Sequence, residues 1–338
     1  MAKRVLVTGA GGFIGGFIVA EALRRGYETW AAVRATTSRQ FLQDERINFI
    51  ELDYSDGETL CSQITEAVGK MGGRWDYVVH NLGATKCVNF LDFNRVNYEY
   101  MRTLVDALRA ADATPDAFLL MSSLSVMGLG DEKGYTPFNT RMIALPDTRY
   151  GVSKLKAETY LQSLSGFPYI IFRATGVYGP HERDYYMMMR CIKYGFDFSV
   201  GFKKQVLTFI YVKDLAAAVF DAVESNNTRR KTYLIAEPRS YTQKGFRAIV
   251  ARALGKRVVL PVCCPLWLLY AVSAIAETVG KFTLKPSTLN RDKYRIMRQR
   301  NWACDTSDAA RDFNFAPQYP LEKGVAEAVE WYRQAGWL

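Results

Sequence analysis

The chain has 338 residues, a formal net charge of +10 and an apolar fraction of 49%. That length and apolarity exclude a disordered linker and suffice for one large core or two domains. Six cysteines without a C-x-x-C spacing, beside only two histidines, give no structural zinc motif, so reduced thiols are expected.

The charge admits nucleic acid, a membrane surface or an anionic small molecule, and no RNA-binding or zinc-finger motif favours the first. Val5 already enters a strand, so no export signal is expected and a cytoplasmic location is.

From the N-terminus, Val5, Leu6 and Val7 form an apolar run that the stretch Gly9 to Gly12 breaks. Phe13, Ile14, Phe17, Ile18 and Leu23 then resume at helical spacing. Glycines at 9, 12 and 15 suit a tight turn that exposes N–H groups at a helix start, where a pyrophosphate binds. A second strand at Thr29 to Val33 completes a βαβ unit. Further strands are predicted at Asn48 to Leu52, Asp76 to His80, Ala117 to Met121 and Tyr169 to Phe172. Helices are predicted near Ile14 to Arg25, Ser55 to Lys70, Phe93 to Ala111 and Arg149 to Ser163. The fold class is therefore α/β, a doubly wound parallel sheet of the Rossmann type.

After Arg173 the rhythm changes. A Met-rich segment (Met187, Met188, Met189) leads to a strand at Phe196 to Val200, a Lys203-Lys204 turn and a strand at Leu207 to Val212. A helix near Lys213 to Glu224 and a strand at Thr232 to Ile235 are expected to return to the main sheet. Helices near Thr242 to Leu254, Leu266 to Ala276 and Leu321 to Gln334 read as a smaller cap. The expected division is 1–175 with about 206–236 for the nucleotide-binding domain, and about 176–205 with 237–338 for a discontinuous substrate domain.

The run from 258 to 276 carries no charge, but Pro265 suits a helix start and leaves too few apolar residues before Glu277 to cross a core of roughly 30 Å. Two readings stand: a buried cap helix, or an apolar lip resting on a membrane. The second would let Lys281, Lys285, Arg291, Lys293, Arg295, Arg298 and Arg300 meet anionic head groups. The plainer reading of those cations is a solvated basic face.

Two stretches carry chemistry. Ser122 and Ser123 end a strand in hydroxyls, and Tyr150-Gly-Val-Ser-Lys154 sets a phenol and an ammonium four apart on one helix face. A lysine cation beside a phenol favours the phenolate, which would let Tyr150 exchange a proton near neutral pH. His80 reads as structural, and Asp214 as a helix cap.

At these residues the chain resembles the extended short-chain dehydrogenase/reductase family, nearest its branch of dihydroflavonol reductases, 3-beta-hydroxysteroid dehydrogenases and keto-lipid reductases. The resemblance spans nearly the whole length. It rests on Thr8-Gly-Ala-Gly-Gly-Phe-Ile-Gly15, Val79-His-Asn-Leu-Gly-Ala84, Ser122-Ser123, Tyr150-x-x-x-Lys154, Arg173-Ala-Thr-Gly-Val-Tyr-Gly-Pro180 and Phe209-Ile-Tyr-Val-Lys-Asp214. It implies Tyr150 as general acid/base, Lys154 as the residue that holds the ribose and tunes Tyr150, and Ser123 as the hydrogen-bond partner of a substrate carbonyl. The implied cofactor-binding set is Gly9, Gly12, Phe13, Ile14, Gly15, Arg34, Ser38, Arg39, Asp53, Tyr54, Leu82, Gly83, Ser122, Tyr150, Lys154, Thr175 and Val177. Asp53 is expected to reach the adenine amino group. Thr85, Ser123, Tyr178 and Arg183 are candidate substrate contacts. Met127, Asn81 and Ala174 depart from the commoner family residues at their positions.

Arg34 stands where NAD sites usually carry an acid, with Ser38 and Arg39 behind it, so NADP(H) is favoured and NAD(H) remains open. Trp267, Leu268, Tyr270, Met187 and Met188 suit a lipophilic ligand. The expected activity is reduction of a ketone, such as a 3-ketosphinganine-like lipid or a steroid. The alternatives are a nucleotide-sugar epimerase or dehydratase with retained NAD, whose pyrophosphate Arg183 or Lys203 would meet, and a non-catalytic NADPH-responsive redox sensor. The resemblance also implies a homodimer through the helices near Phe93 to Ala111 and Arg149 to Ser163.

Overall fold

A computed structural model describes residues 2–283, 287 and 289–338, the side chains of Phe90 and Lys281 excepted. Strand β1 (Arg4–Thr8) leads through the glycine turn into α1 (Phe13–Arg24), and β2 (Glu28–Val33) and β3 (Asn48–Glu51) follow. Next come α2 (Gly57–Met71) and β4 (Tyr77–His80). Helix α3 (Phe90–Asn94) continues through a π-helical turn, Arg95–Glu99, into α4 (Tyr100–Ala110). Strand β5 (Ala117–Ser123), α5 (Arg149–Ser163) and β6 (Tyr169–Ala174) complete the alternating half.

The chain then leaves the sheet through β7 (Gly176–Tyr178), α6 (Asp184–Lys193), β8 (Phe196–Val200), β9 (Val206–Leu207) and β10 (Phe209–Tyr211). It returns by α7 (Val212–Glu224) and β11 (Lys231–Ile235). The C-terminal part adds β12 (Tyr241–Thr242), α8 (Gln243–Leu254), β13 (Leu260–Cys264) and α9 (Leu266–Thr283). Three helices finish it: α10 (Arg291–Arg298), α11 (Ser307–Phe313) and α12 (Leu321–Gln334).

Seven strands form one parallel sheet in the order β11-β6-β5-β4-β1-β2-β3. Beyond Arg4 at the start of β1, its central strands β1 and β4 are buried, as a sheet covered on both faces requires. One apolar layer joins Val5, Ile18, Phe172, Val219 and Phe313, and the opposite layer joins Leu6, Leu60, Leu104, Phe118 and Leu161. The strand order reverses between β1 and β4, so the connections at their C-terminal ends diverge and leave a crevice.

The cap has its own core, in which Tyr178, Phe209, Tyr211 and Phe246 meet Val325 and Tyr332 of α12. The Met-rich segment is helical, with Met189 buried and Met187 exposed. The strand expected from Leu207 to Val212 divides at Thr208, because β9 pairs with β12 while β10 pairs with β7. The helix expected to end at Ala276 runs on to Thr283. Among the described residues no helix is long and apolar enough to cross a membrane.

Candidate active site

The glycine turn is built by close contact. Gly9 has φ +66°, and a Cβ there would sit 2.8 Å from the Leu82 amide nitrogen. A Cβ on Gly15 would sit 2.1 Å from the Gly9 carbonyl oxygen, so only glycine lets α1 lie against the turn. Gly12 begins α1 with no side-chain cap, and the first turn holds no acid. The N–H groups of Phe13, Ile14 and Gly15 therefore have no intrahelical acceptor, and the positive helix end is open to an anion. This donor set fits a dinucleotide pyrophosphate.

After β2, the Arg34 N–H donates to Thr37 Oγ1 at 2.9 Å and the Thr37 N–H returns to the Arg34 carbonyl at 2.8 Å. The turn folds Thr37 against Gly11. Arg34, Ser38 and Arg39 are exposed, and Arg39 lies 4.3 Å over the Phe49 ring. Among the described residues no carboxylate pairs with Arg34. Asp53 is turned to its own loop: its carboxylate accepts from the Ser55 N–H at 2.9 Å and the Ser55 hydroxyl at 2.6 Å, which holds it below the usual carboxylate range. Tyr54 stacks on Tyr100 with its hydroxyl buried and unpartnered.

At the crevice, the Leu82 N–H donates to Thr8 Oγ1 at 3.2 Å, and that hydroxyl lies 3.1 Å from His80 Nδ1. Burial, with Lys154 nearby, pushes His80 down to about 3, so the ring is neutral and braces the strand ends. Gly83 presses against Lys154; a Cβ would come within 2.9 Å of Nζ. Thr85 beside it is exposed.

Helix α5 begins with every early donor satisfied. The Thr148 hydroxyl accepts from the Gly151 N–H at 3.0 Å, while Asp292 of α10 accepts from the Arg149 N–H at 3.0 Å and from the Tyr150 N–H. This fixes Tyr150 at the helix mouth, half-buried, with its ring edge-on to Phe93. The Ser123 hydroxyl hydrogen-bonds the Tyr150 phenol and accepts from the Ser125 N–H at 3.2 Å. One turn on, Lys154 Nζ donates to the Met121 carbonyl at 3.0 Å.

Burial raises the Tyr150 phenol, and the Ser123 hydrogen bond opposes it. Lys154 itself is pushed down to about 8 by burial, against the attraction of Glu158. Tyr150 is thus a protonated phenol, a proton donor as it stands.

Other expected residues lie elsewhere. The Ser122 hydroxyl points into the interior and donates to Glu158, whose carboxylate takes the Arg173 guanidinium at 2.7 Å. Arg173 also donates to Met127 Sδ at 3.1 Å, a bond the tyrosine common in the family would not make in this way. The Thr175 hydroxyl donates to the Thr208 carbonyl at 3.0 Å, and half-buried Val177 packs on the sheet core. Tyr178 is not exposed to a cleft: its ring is buried among Tyr185, Phe209 and Tyr211. Arg183 lies 5.8 Å over the Trp337 ring.

Sequence reasoning missed Asn97, buried beside the lysine, whose amide bridges the Ala84 backbone and the Ser153 hydroxyl. It also missed Glu158, which its spacing of four from Lys154 on the same helix face would have revealed.

The late cations are partly solvated, and most are also paired. Arg291 pairs with Glu277 at 3.0 Å, Lys293 with Asp184 at 3.2 Å, Arg295 donates to the Asp147 carbonyl, and Arg300 donates to the Val200 carbonyl at 2.7 Å. Lys285 and the Lys281 side chain lie outside the described residues. These contacts strap α9 and α10 over a cavity lined by Cys87, Phe93, Arg149, Glu277, Gly280 and Asp292, beside Tyr150.

The chain is 24% identical to a ceramide reductase of Caulobacter vibrioides, over 99% of this chain and 96% of that one. It is also 24% identical to a UDP-glucose 4-epimerase of Vibrio cholerae, over 99% and 97%. A solved dTDP-glucose 4,6-dehydratase of Bacillus anthracis, in complex with NAD, superposes with a TM-score of 0.75 at 18% identity, over 98% and 97%. Residues 5–236 match the NAD dependent epimerase/dehydratase family, and with the glycine turn and the Ser123, Tyr150 and Lys154 cluster in place, the chain belongs to that family, the extended short-chain dehydrogenase/reductases.

Proposed function

We propose that the chain is an NADPH-dependent reductase that converts a ketone of a lipophilic substrate, such as a 3-ketosphinganine-like lipid or a steroid, into an alcohol. The observation that carries this reading is the meeting of the Tyr150 phenol with the Ser123 hydroxyl at the end of β5, with Lys154 one turn further along α5. A bound dinucleotide, cradled by Gly9, Gly12 and Gly15, supplies a hydride to the carbonyl carbon. The chain provides for the oxygen. Ser123 donates a hydrogen bond to it, and Tyr150 Oη–H delivers the proton as negative charge develops there. The Lys154 ammonium then offsets the charge left on the phenolate.

Arg34, exposed at the end of β2 and free of a carboxylate partner among the described residues, supports NADPH, since a guanidinium pairs with a 2′-phosphate through two hydrogen bonds. The likeness to a ceramide reductase supports a lipid. The likeness to a UDP-glucose 4-epimerase at the same identity supports a second reading with equal weight, a nucleotide-sugar epimerase or dehydratase with retained NAD.

NADPH oxidation followed against keto-sphingoid, steroid and flavonoid substrates, with chromatographic product analysis on nucleotide sugars, tests both. The expected result is turnover of a keto-lipid, with a fall of about 10²- to 10⁴-fold in Tyr150→Phe. Activity confined to nucleotide sugars, with NAD retained through purification, would replace the reductase by the second reading.

A further inference from the structure

We infer that the outer face of α9, together with the β8–β13 ribbon, is a docking surface for an anionic lipid bilayer. The helix is turned inside out. Leu269, Ser273 and Gly280 form its buried stripe, with the Glu277 carboxylate on the same side. Leu268, Val272, Ile275, Val279 and Phe282 follow one another at alternating steps of four and three and face solvent, Phe282 being 85% exposed. Trp267, 71% exposed, stands at the start of the same helix. An amphipathic helix that hides serine and carboxylate while showing its apolar stripe has its partner outside the protein.

The ribbon that precedes it extends this surface. Strands β8 and β13 are parallel with Phe196 beside Leu260 and Phe198 beside Val262, and all four side chains are exposed. The alternate residue Asp197 is buried against Gln243 and Arg247, so one face of the ribbon is apolar and the other is tied to the cap. The Gly201 N–H donates to the Cys264 carbonyl at 2.9 Å, which brings the ribbon's end and exposed Phe202 to the start of α9.

Charge selects the occupant. Lys193 and Arg257 flank one end of the ribbon, and Lys203 and Lys204 the other. Among the described residues none of the four pairs with a carboxylate. Of the acids near the ribbon and α9, Asp197 and Glu277 are committed to Arg247 and Arg291, and Glu132 acts on Arg300. A second copy docked through a twofold would set these cations against themselves, at a cost of like-charge repulsion. A bilayer surface rich in anionic head groups meets the cations and buries the stripe, and Trp267 is the side chain that settles at head-group depth. The helix lies on such a surface; it does not span it.

The inference concerns a face outside the cleft, and its test needs neither cofactor nor substrate. The full chain is sedimented with phosphatidylcholine vesicles, with and without phosphatidylglycerol, at low and high salt. Binding is expected only with phosphatidylglycerol and should weaken with salt. Lys203→Gln with Lys204→Gln should lower the partition constant about thirtyfold, at about 1 kcal/mol per cation. Ile275→Asp with Phe282→Asp should abolish binding while the thermal melt, followed by circular dichroism, stays unchanged, because both residues are exposed. Failure of the wild-type chain to bind phosphatidylglycerol vesicles would overturn the inference. So would light scattering that shows a dimer in the wild type and a monomer in Ile275→Asp, which would make the face an interface between copies.

Discussion

Lys154 is held in the site against its own preference. Its ammonium is buried with one carbonyl acceptor, and its pKa falls from the ordinary 10.5 to about 8. The folded state therefore binds fewer protons than the unfolded chain between pH 8 and 10.5, so this group's cost to folding is fully present below pH 8 and is relieved as pH rises through that window. A shift of that size corresponds to about 3 kcal/mol. Lys154→Met is accordingly expected to melt higher than the wild type at pH 7, by a few degrees, while losing turnover. The same variant should lack the wild type's gain in stability between pH 8 and 10, measured as melting temperature against pH without cofactor. A lower melting temperature at pH 7 would mean that the Met121 hydrogen bond outweighs the burial of charge.

Among the elements, those that carry the sheet were legible because parallel strands buried on both faces are short apolar runs, as Val5 to Val7 and Ala117 to Met121 are. What escaped has local causes. Strand β13 contains Pro261, which cannot donate to a ladder and is tolerated because β13 pairs on one side only. Helix α10, from Arg291 to Arg298, offers no apolar period. Asn97 reaches Ser153, the neighbour of Lys154, through a π-helical turn whose extra residue no heptad or 3.6-residue pattern anticipates. Tyr150, Lys154 and Ser123 could be named from the chain, but the residue that seats them, Asp292, is about 140 positions away from Tyr150 and only the packing of the cap reveals it.

That strap is itself testable. The Glu277 carboxylate is held down to about 2 by the Arg291 hydrogen bond and, less strongly, by Arg149. Its contribution is complete above the ordinary 4.5 and is lost as pH falls toward 2. Glu277→Gln mimics that loss at neutral pH and should cost about 1 kcal/mol, since the pair is part-exposed. Hydrogen exchange at pH 7 should quicken in 266–283 and 291–298, with little change in the sheet. The KM for the substrate should rise more than kcat falls, because the variant loosens the wall of the cavity without touching Tyr150. Unchanged exchange in those segments would show that the strap holds without the Glu277 carboxylate.

At the scale of the whole molecule the chain passes from sheet to cap and back, so the two parts are expected to melt together. Strand β11 completes the sheet only after β7 to β10 have been laid into the cap, and α12 returns to bury Tyr178 and Tyr211. Arg25, at the C-terminal cap of α1, ties to Asp221 of α7 at 2.7 Å, and Asp312 of α11 binds Lys231 at 2.8 Å and the Tyr233 hydroxyl of β11. A ligand held at the glycine turn should therefore raise the melting of the cap as much as that of the sheet. At about 100 times its Kd, a dinucleotide stabilises the chain by about 2.7 kcal/mol, which is a single melting transition moved up by a few degrees. NADPH is expected to give that shift at lower concentration than NADH, and Arg34→Asp to reverse the order by repelling the 2′-phosphate and accepting from the ribose hydroxyls. Differential scanning fluorimetry with each coenzyme reads this directly. Equal shifts from the two coenzymes, unaltered by Arg34→Asp, would show that Arg34 merely stacks on the adenine, and the preference for NADPH would fall while the fold and the Tyr150 chemistry stand.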